Sequence, residues 1–285
     1  GLGRSFRTTN LQQAIQFTQT KYIITGIIAE NSTNNCSKIP SIRIGTERGE
    51  SSRSLFIKGG EQCAVSAIAR LLPLQLINSN SVELLEGGPA WRRNFIDIGL
   101  FHMEQSFLDV YQQFKRCLLQ RNAELKEISS SAQKKAKVAA WNEAFISLGE
   151  VIDKKRRDFI RRFTRIFHGL ILGWSFCKEV SFQYRQGWSE GFSLKQALEE
   201  SLFIDLASGY SNKGPHRADL EIYVDGVLAK NLLSRGQQKA FSFVLSLARA
   251  ILLQQQEQID SIFLVDDLNS ELDKYSYQLV LDKLT

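Results

Sequence analysis

Two neighbouring carboxylates, Asp266 and Asp267, have the type and spacing that magnesium-dependent chemistry requires. They directly follow the apolar run Ile262–Val265, which predicts a short strand buried on both faces. Open α/β sheets bind their ligands at the carboxyl ends of such strands. One carboxylate there could hold Mg²⁺ through water, while its neighbour orients or deprotonates an attacking water. The alternative is that the two aspartates only cap the next turn.

A second candidate site lies upstream, in the sequence Leu-Ser-Arg-Gly-Gln-Gln-Lys at residues 233–239. Apolar residues then recur at helical spacing, so Ser234 is predicted at the N-cap of a long helix and Gly236 in its first turn. A hydroxyl, a glycine that permits close backbone approach and free N–H groups together can bind an anion. An ordinary serine-capped core helix is the alternative for this segment.

The elements that must position these sites are predicted near both ends of the chain. Short β-branched runs separated by Asn, Ser and Gly clusters predict an antiparallel meander over residues 22–60. A helix is predicted over residues 63–72, followed by a strand over Leu74–Ile77 that contains Gln75. Towards the other end, Asp225 and Gly226 lie between two apolar runs and predict a β-hairpin.

Between these parts the pattern is helical, with a weak break at residues 129–131. It predicts two long helices joined near residues 129–140 into an antiparallel pair with a basic tip of Lys134, Lys135 and Lys137. A charge run on the second helix is either a solvated face or a phosphate-binding face, and its density favours DNA binding. The run comprises Lys154, Lys155, Arg156, Arg157, Arg161, Arg162 and Arg165.

The composition is compatible with a folded protein that binds a polyanion. The 285 residues are 43% hydrophobic and 23% charged, with a formal net charge of +6. The four cysteines have no metal-ligand spacing and suit a reducing compartment. No apolar run is long enough to span a membrane, so we expect a cytoplasmic protein.

The two candidate sites together resemble the ATPase heads of the ATP-binding-cassette type. The sequence S-x-G-Q-Q-K opening a helix, a strand ending in two aspartates, and S-E-L-D at residues 270–273 resemble the signature motif, Walker B strand and D-loop. Within that group the chain resembles the RecF family over its whole length. Further segments carrying this resemblance lie at residues 3–7, 85–97, 120–122 and 214–220.

The resemblance implies an α/β fold: an ATPase head, with a mixed sheet and an antiparallel β subdomain, and an inserted helical lobe. Residues 1–98 and 205–285 would form the head, and residues 99–204 the mostly helical lobe. The phosphate-binding loop of such heads would lie upstream of Gly1, and a phosphate-contacting histidine beyond Thr285. We therefore expect the chain to be truncated at both ends and, without that loop, inactive as an ATPase.

The resemblance also implies the role of each site residue. Asp266 would hold Mg²⁺, and Asp267 would orient water for a weak ATPase activity of the longer parent protein. Gln75 would be the glutamine that reaches the magnesium, although a polar residue on the open face of a strand is the alternative. The residues with an implied role in binding ATP, several of them across a homodimer, are Ser234, Arg235, Gly236, Gln237, Ser270, Asp273 and Gln75.

The implied function is ATP-dependent binding of single- and double-stranded DNA at gaps, in recombinational repair, replication and the SOS response. The protein would dimerise on ATP and help load recombinase, with RecR and RecO as partners. A non-hydrolysing DNA-binding adaptor with a degenerate head is the alternative. An SMC or Rad50 head is disfavoured, because the helical insert is too short for long coiled-coil arms.

Overall fold

The computed structural model describes residues 15–16, 18–29, 41–49, 53–57, 61–127, 131–257, 260–265 and 278. The chain divides into two compact units, residues 1–74 and residues 75–285. This division differs from the predicted one, with boundaries after residues 98 and 204, which stays a prediction. None of the described helices has both the length and the apolar character needed to cross a bilayer.

The first unit is built on an antiparallel sheet of four strands in chain order. These are β1 (Lys21–Ala29), β2 (Ser41–Gly49), β3 (Arg53–Ile57) and β4 (Glu61–Gln62). Isoleucine is frequent in β1 and β2, as expected for β-branched residues on a pleated surface. Helix α1 (Val65–Leu71) follows the sheet. The predicted meander and helix are confirmed.

The second unit is mainly helical and contains two small sheets. Its helices are α2 (Glu83–Glu86), α3 (Pro89–Met103), α4 (Phe107–Lys126), α5 (Ser131–Ile171), α6 (Leu194–Ser208), α7 (Ala229–Leu232) and α8 (Arg235–Glu257). Its strands are β5 (Leu74–Ile77), which begins at the last residue of the first unit, β6 (Val180–Arg185), β7 (Asp219–Val224), β8 (Val227–Leu228) and β9 (Ile262–Val265). Short 3₁₀ turns cover Ser79–Val82 and Pro215–Arg217.

Helices α4 and α5 form the predicted antiparallel pair. Lys137 Nζ lies 2.5 Å from Glu127 Oε2, and further along the pair Arg121 Nε donates to Asn142 Oδ1 at 3.1 Å. The predicted position of the connection is wrong in part, because α5 already begins at Ser131. The alanine- and lysine-rich residues that follow favour a helix over a loop. Three lysines predicted at the tip lie in the first turns of α5: Lys134, Lys135 and Lys137.

Strands β6, β7 and β8 form an antiparallel sheet in chain order. The hairpin between β7 and β8 turns at Asp225 and Gly226, whose φ angles of 49° and 78° are both positive. Such a pair is typical of a type I′ turn, in which asparagine, aspartate and glycine are favoured. Asp225 Oδ1 also accepts hydrogen bonds from the backbone N–H groups of Lys178 and Glu179. The predicted hairpin is confirmed.

Helix α8 runs through the core of the second unit. Its predicted apolar stripe is buried, including Phe241, Val244 and Leu252. Phe241 lies 5.0 Å from Phe167 of α5, measured between ring centroids. Because the body of α8 is packed in the core, the position of its first turn is fixed.

Strand β9 pairs with β5 in a two-stranded sheet. Ile262, Leu264 and Val265 are 43%, 42% and 42% exposed, so the prediction of a strand buried on both faces is wrong for the described chain. Only Phe263 packs inward, 6.3 Å from the ring of Phe243. An apolar run can predict that a strand forms, but the burial of that strand depends on which other elements cover it.

Candidate functional site

Ser234 caps helix α8 as predicted. Its backbone N–H donates to Gln237 Oε1 at 2.9 Å, and Gln237 N–H approaches Ser234 Oγ at 3.4 Å. This reciprocal pair is a capping box, which fixes the chain at a helix start. Ser234 and Arg235 are exposed, and Gly236 is half-buried. The first turn of α8 thus offers backbone N–H groups without a bulky side chain at Gly236, which fits a phosphate group.

The second glutamine of the same motif has a different role. The Gln238 side chain is buried, and its Nε2 donates to the backbone oxygens of Lys230 at 3.2 Å and Leu233 at 3.1 Å. These bonds fasten the start of α8 to α7. Gln237 completes the helix cap at the surface, whereas the buried Gln238 side chain binds the backbone of the segment between α7 and α8. Sequence reasoning did not identify this anchor.

Gln75 is 1% exposed within β5, so the alternative of a polar residue on an open strand face is wrong. Its Oε1 accepts a hydrogen bond from Arg249 Nη2 of α8. Arg249 also donates to Phe95 O at 3.1 Å, with its guanidinium carbon 4.3 Å from the centre of the Phe95 ring. Burial lowers the pKa of Arg249 to about 10. The role of Gln75 at magnesium stays a prediction.

Arg249 is a buried cation that sequence reasoning missed. It lies one residue after Ala248 and three before Leu252, within the apolar stripe of α8. An arginine at such a position is the signal that could have found it, because a buried charge needs hydrogen-bond partners. It joins α8 to β5 and to α3.

The other predicted ATP-site residues lie outside the described residues. These are Asp266, Asp267, Ser270 and Asp273. Strand β9 ends at Val265, directly before Asp266, so the predicted order of strand and carboxylates is retained. Within the described ranges, no group of three or more His, Cys, Asp or Glu residues is arranged to hold a metal ion. The predicted magnesium site is therefore not tested.

One residue of the predicted DNA-binding run is not available to DNA. Arg156 is 2% exposed, and its Nε and Nη2 each donate to Asp97 at 2.8 Å. Its Nη1 donates to Pro215 O at 2.6 Å. Burial opposes the charge of Arg156, but the charge and hydrogen bonds of Asp97 outweigh it and raise its pKa. The prediction of Arg156 as a DNA contact is wrong, because its donors serve the core.

The two cations on either side of Arg156 form ion pairs. Lys155 Nζ pairs with Glu104. Arg157 donates to Asp153 Oδ2 at 2.8 Å and to Gln186 Oε1 at 2.5 Å. These side chains would have to leave a partner before binding a phosphate.

The remaining cations of the run face solvent. Arg161 forms an exposed pair with Asp158 at 2.9 Å, and Arg162 donates to Gln256 Oε1 at 3.0 Å. Lys154 is also exposed. Solvent-exposed contacts of this kind have small net energies and exchange readily. The run therefore contains one buried structural cation, Arg156, two cations with partly buried partners, and several cations that are available at the surface.

Three of the segments that carried the family resemblance meet in the second unit. Arg92 of α3 binds both oxygens of Asp219, at 2.7 and 3.1 Å. Arg121 of α4 forms a fully buried ion pair with Asp205, 2.9 Å apart. The Asn122 side chain accepts from Ser211 N–H at 2.8 Å. Residues 85–97 and 214–220 are thus joined directly, and residues 120–122 reach the third segment through Ser211, whose backbone oxygen lies 2.9 Å from His216 Nε2.

The curated proteins to which the chain is similar in sequence share one name. No family model matches it. It is 35% identical to the DNA replication and repair protein RecF of Pseudoalteromonas translucida over 274 residues, which cover 95% of the chain and 72% of that protein. It is 36% identical to proteins of the same name from Pseudomonas putida, over 275 residues covering 96% and 72%, and Nitrosococcus oceani, over 281 residues covering 96% and 73%.

Solved structures show the same fold. A structure of the recombination mediator protein RecF with ATP, in the RecFOR pathway, matches 99% of this chain and 76% of its own, with a TM-score of 0.81 and 21% identity. A second structure of RecF, with ATPrS, matches 98% of this chain and 77% of its own, with a TM-score of 0.80 and 21% identity. The predicted fold, an α/β ATPase head with an inserted helical lobe, is confirmed.

Proposed function

This chain belongs to the RecF family of DNA replication and repair proteins, and we propose that it acts in an ATP-dependent, DNA-binding recombination mediator that works as a homodimer. It would bind DNA at gaps and help load recombinase, with RecR and RecO as partners. Solved RecF structures of the same fold, in the RecFOR pathway, contain ATP in one case and ATPrS in the other, which supports this proposal.

The observation that carries the proposal is the exposed, capped start of α8. The capping box at Ser234 and Gln237 and the anchor at Gln238 hold the first turn in a fixed position at the surface. A helix start of this kind binds a phosphate through backbone N–H groups. Because the signature motif in such heads serves the nucleotide of the second subunit, we propose that Ser234 and Gly236 contact ATP across the dimer.

Magnesium chemistry is proposed for the residues after β9. Asp266 would hold Mg²⁺, which neutralises charge on the phosphates, and Asp267 would orient the attacking water. Ser270 and Asp273 would complete the nucleotide site. In this role Gln75 Oε1, which already accepts a hydrogen bond from Arg249, would offer its second lone pair to the magnesium.

DNA binding is proposed for the cations of α5 that face solvent. Lys154, Arg161 and Arg162 can exchange their weak surface contacts for phosphates, which is the usual source of sequence-independent affinity. Lys155 and Arg157 would contribute less, since each already has a partly buried partner. Sequence-independent binding suits a protein that recognises a gap rather than a base sequence.

The test compares two capping serines that have the same hydrogen-bonding pattern. Ser193 caps α6 through a capping box with Gln196, as Ser234 does with Gln237 on α8. In the full-length protein, Ser234→Arg should abolish dimerisation on ATP without preventing nucleotide binding by the monomer. Ser193→Arg should leave the dimer intact. Sedimentation velocity with and without ATP measures both.

Either of two outcomes would contradict the proposal. A Ser234→Arg protein that dimerises with normal affinity would show that the start of α8 does not face the second subunit. Loss of the dimer in both variants would assign the effect to a lost helix cap, which costs about 1 kcal/mol, rather than to contact with the nucleotide.

A further inference from the structure

We propose that the second unit contains an additional site, which binds a phosphate group in a cleft between α3, α4 and the turn at Pro215–Arg217. Two adjoining cavities of about 350 and 190 Å³ form this cleft, and Arg93 and Tyr111 line both of them. The cleft lies where the segments at residues 85–97 and 214–220 meet, and neither ATP binding nor the cations of α5 explain these segments.

The cleft has an excess of positive charge. Arg93 uses Nη1 to donate to Ala218 O at 2.7 Å, while the neighbouring carboxylate, Asp219, is bound by Arg92. Lys115 of α4 lines the smaller cavity and is exposed to solvent. Asp97 lines the larger cavity but is bound by Arg156, and within the described ranges no carboxylate forms an ion pair with Arg93 or Lys115. Two cations are therefore available to an anion.

The electrostatics at Arg93 agree with this excess. Burial is the main cause that lowers the pKa of Arg93, and the charge of Arg156 lowers it further, against smaller opposing effects from Asp219, Asp97 and Tyr111. A bound anion would relieve this repulsion, since an opposite charge a few ångströms away favours the charged form of a cation.

His216 adds an unused polar atom to the wall of the smaller cavity. Its Nε2 lies 2.9 Å from Ser211 O and must donate to it, so Nδ1 is an acceptor. Nδ1 is buried and has no hydrogen-bond partner among the described residues. The backbone of Gly214, with a φ of 132°, lies close to the imidazole ring. A Cβ at this position would be 3.1 Å from Nδ1. An acceptor in this position can be satisfied by an ordered water or by a ligand that brings a donor.

The shape and chemistry of the cleft favour a phosphate ester over a bare ion. Arg93, Lys115 and the Tyr111 hydroxyl can donate to phosphate oxygens, and an ordered water that donates to His216 Nδ1 could bridge it to the phosphate. The larger cavity has apolar walls that could hold the organic part of the ester: Ile98, Phe101, Phe107 and Leu108. Such an ester could be a free nucleotide or the phosphate of a DNA strand.

The test observes His216 directly, so that phosphate bound at the ATP site does not interfere. Imidazole NMR signals, assigned with His216→Gln, are followed while the full-length protein is titrated with inorganic phosphate, a deoxynucleoside 5′-monophosphate, or a 5′-phosphorylated oligonucleotide. We expect a saturable shift of His216 and none of His168, which bonds to Val180 O at 2.8 Å. The probe with the highest affinity identifies the source of the phosphate.

Two substitutions on α4 provide the matched comparison. Lys115→Gln should weaken the binding that shifts His216 by about tenfold, as expected for the loss of one charged hydrogen bond. Arg116→Gln removes the same charge from the next position, which is exposed and does not line either cavity, and should change nothing. Equal effects of the two substitutions, or no shift of His216 with any probe, would overturn the proposal.

Discussion

His216 is held neutral by the interior of the second unit. Burial is the main cause that lowers its pKa to about 4, against the hydrogen bond with Ser211 O. The charges of Arg217 and Arg93 lower it further, and that of Asp205 raises it. A histidine in the unfolded chain has a pKa near 6.5. Protons therefore bind the unfolded chain first as the pH falls.

The sign of the pH dependence follows from this difference. The contribution of His216 to stability is fully present above pH 6.5 and is lost as the pH falls towards 4. Between pH 7.5 and pH 5 we expect this loss to be about 2 kcal/mol. His216→Gln retains an N–H donor for Ser211 O but cannot titrate. In urea unfolding at both pH values, the free energy of unfolding of the variant should therefore fall by about 2 kcal/mol less than that of the wild type. Equal losses would contradict this origin.

The basic run on α5 shows what could be predicted for single residues. Arg156 lies three residues before Phe159 and seven before Phe163, so helical periodicity alone places it on the buried stripe. The prediction recognised that the run spans more than one side of the helix, but it still assigned Arg156 to DNA with the other cations. Its partner Asp97 is 59 positions away in sequence, and no local pattern could have identified it. The cap at Ser234, by contrast, depends on residues three apart and was predicted correctly.

At the scale of elements, Gly99 lets the ring of Phe159 on α5 pack directly against the backbone of α3. A Cβ at this position would lie 2.5 Å from Cζ of Phe159, a side chain that is buried and stacked on Phe163. Alanine is about 1 kcal/mol better than glycine inside a helix, but steric overlap in a packed core costs more. The glycine is therefore required by packing rather than by backbone conformation.

Gly99→Ala should therefore destabilise the protein by about 1–3 kcal/mol, measured by urea unfolding. Gly169→Ala is the matched control, because Gly169 lies in α5 with nothing within 4 Å of a Cβ. It should be neutral or stabilising by up to about 1 kcal/mol. Phe159→Leu, which shortens the opposing side chain, should reduce the cost of Gly99→Ala. Similar effects of both alanine substitutions would rule out the proposed contact.

Predicted and observed elements agree where the signal is local. The hairpin at Asp225 and Gly226, the strand β5 and the helix α8 follow from turn residues and periodicity within a few positions. The exposure of β9 and the ion pair between Arg121 and Asp205 depend on residues far apart in the chain. They could not be predicted, because no sequence pattern specifies which elements will cover a strand or oppose a buried charge.

For the whole molecule, the formal net charge of +6 is compatible with DNA binding but does not locate it. A protein that binds through phosphates releases counterions, so its affinity falls with salt concentration by an amount set by the number of contacts. General attraction by net charge and local contacts by α5 make different predictions. They can be separated by removing equal charge from two places.

Changing Arg161, Arg162 and Arg165 together to Gln removes three exposed cations of α5. If each contacts a phosphate, the log–log dependence of affinity on salt should become shallower by roughly 0.9 per contact, or between two and three in all. Affinity for a gapped duplex should fall without a change in base preference, because phosphate contacts carry no sequence information. Fluorescence anisotropy at several salt concentrations measures both quantities.

The control removes the same charge elsewhere on the second unit. Gln substitutions at Arg116, Lys178 and Lys195 affect three exposed cations on other elements and should leave the slope unchanged. A smaller slope in both triple variants would mean that only net charge matters, because each loses three positive charges. An unchanged slope in the α5 variant would make this helix a solvated surface or a protein-docking face. A smaller slope in the α5 variant alone would locate DNA on α5, since counterion release counts only the phosphates that are contacted.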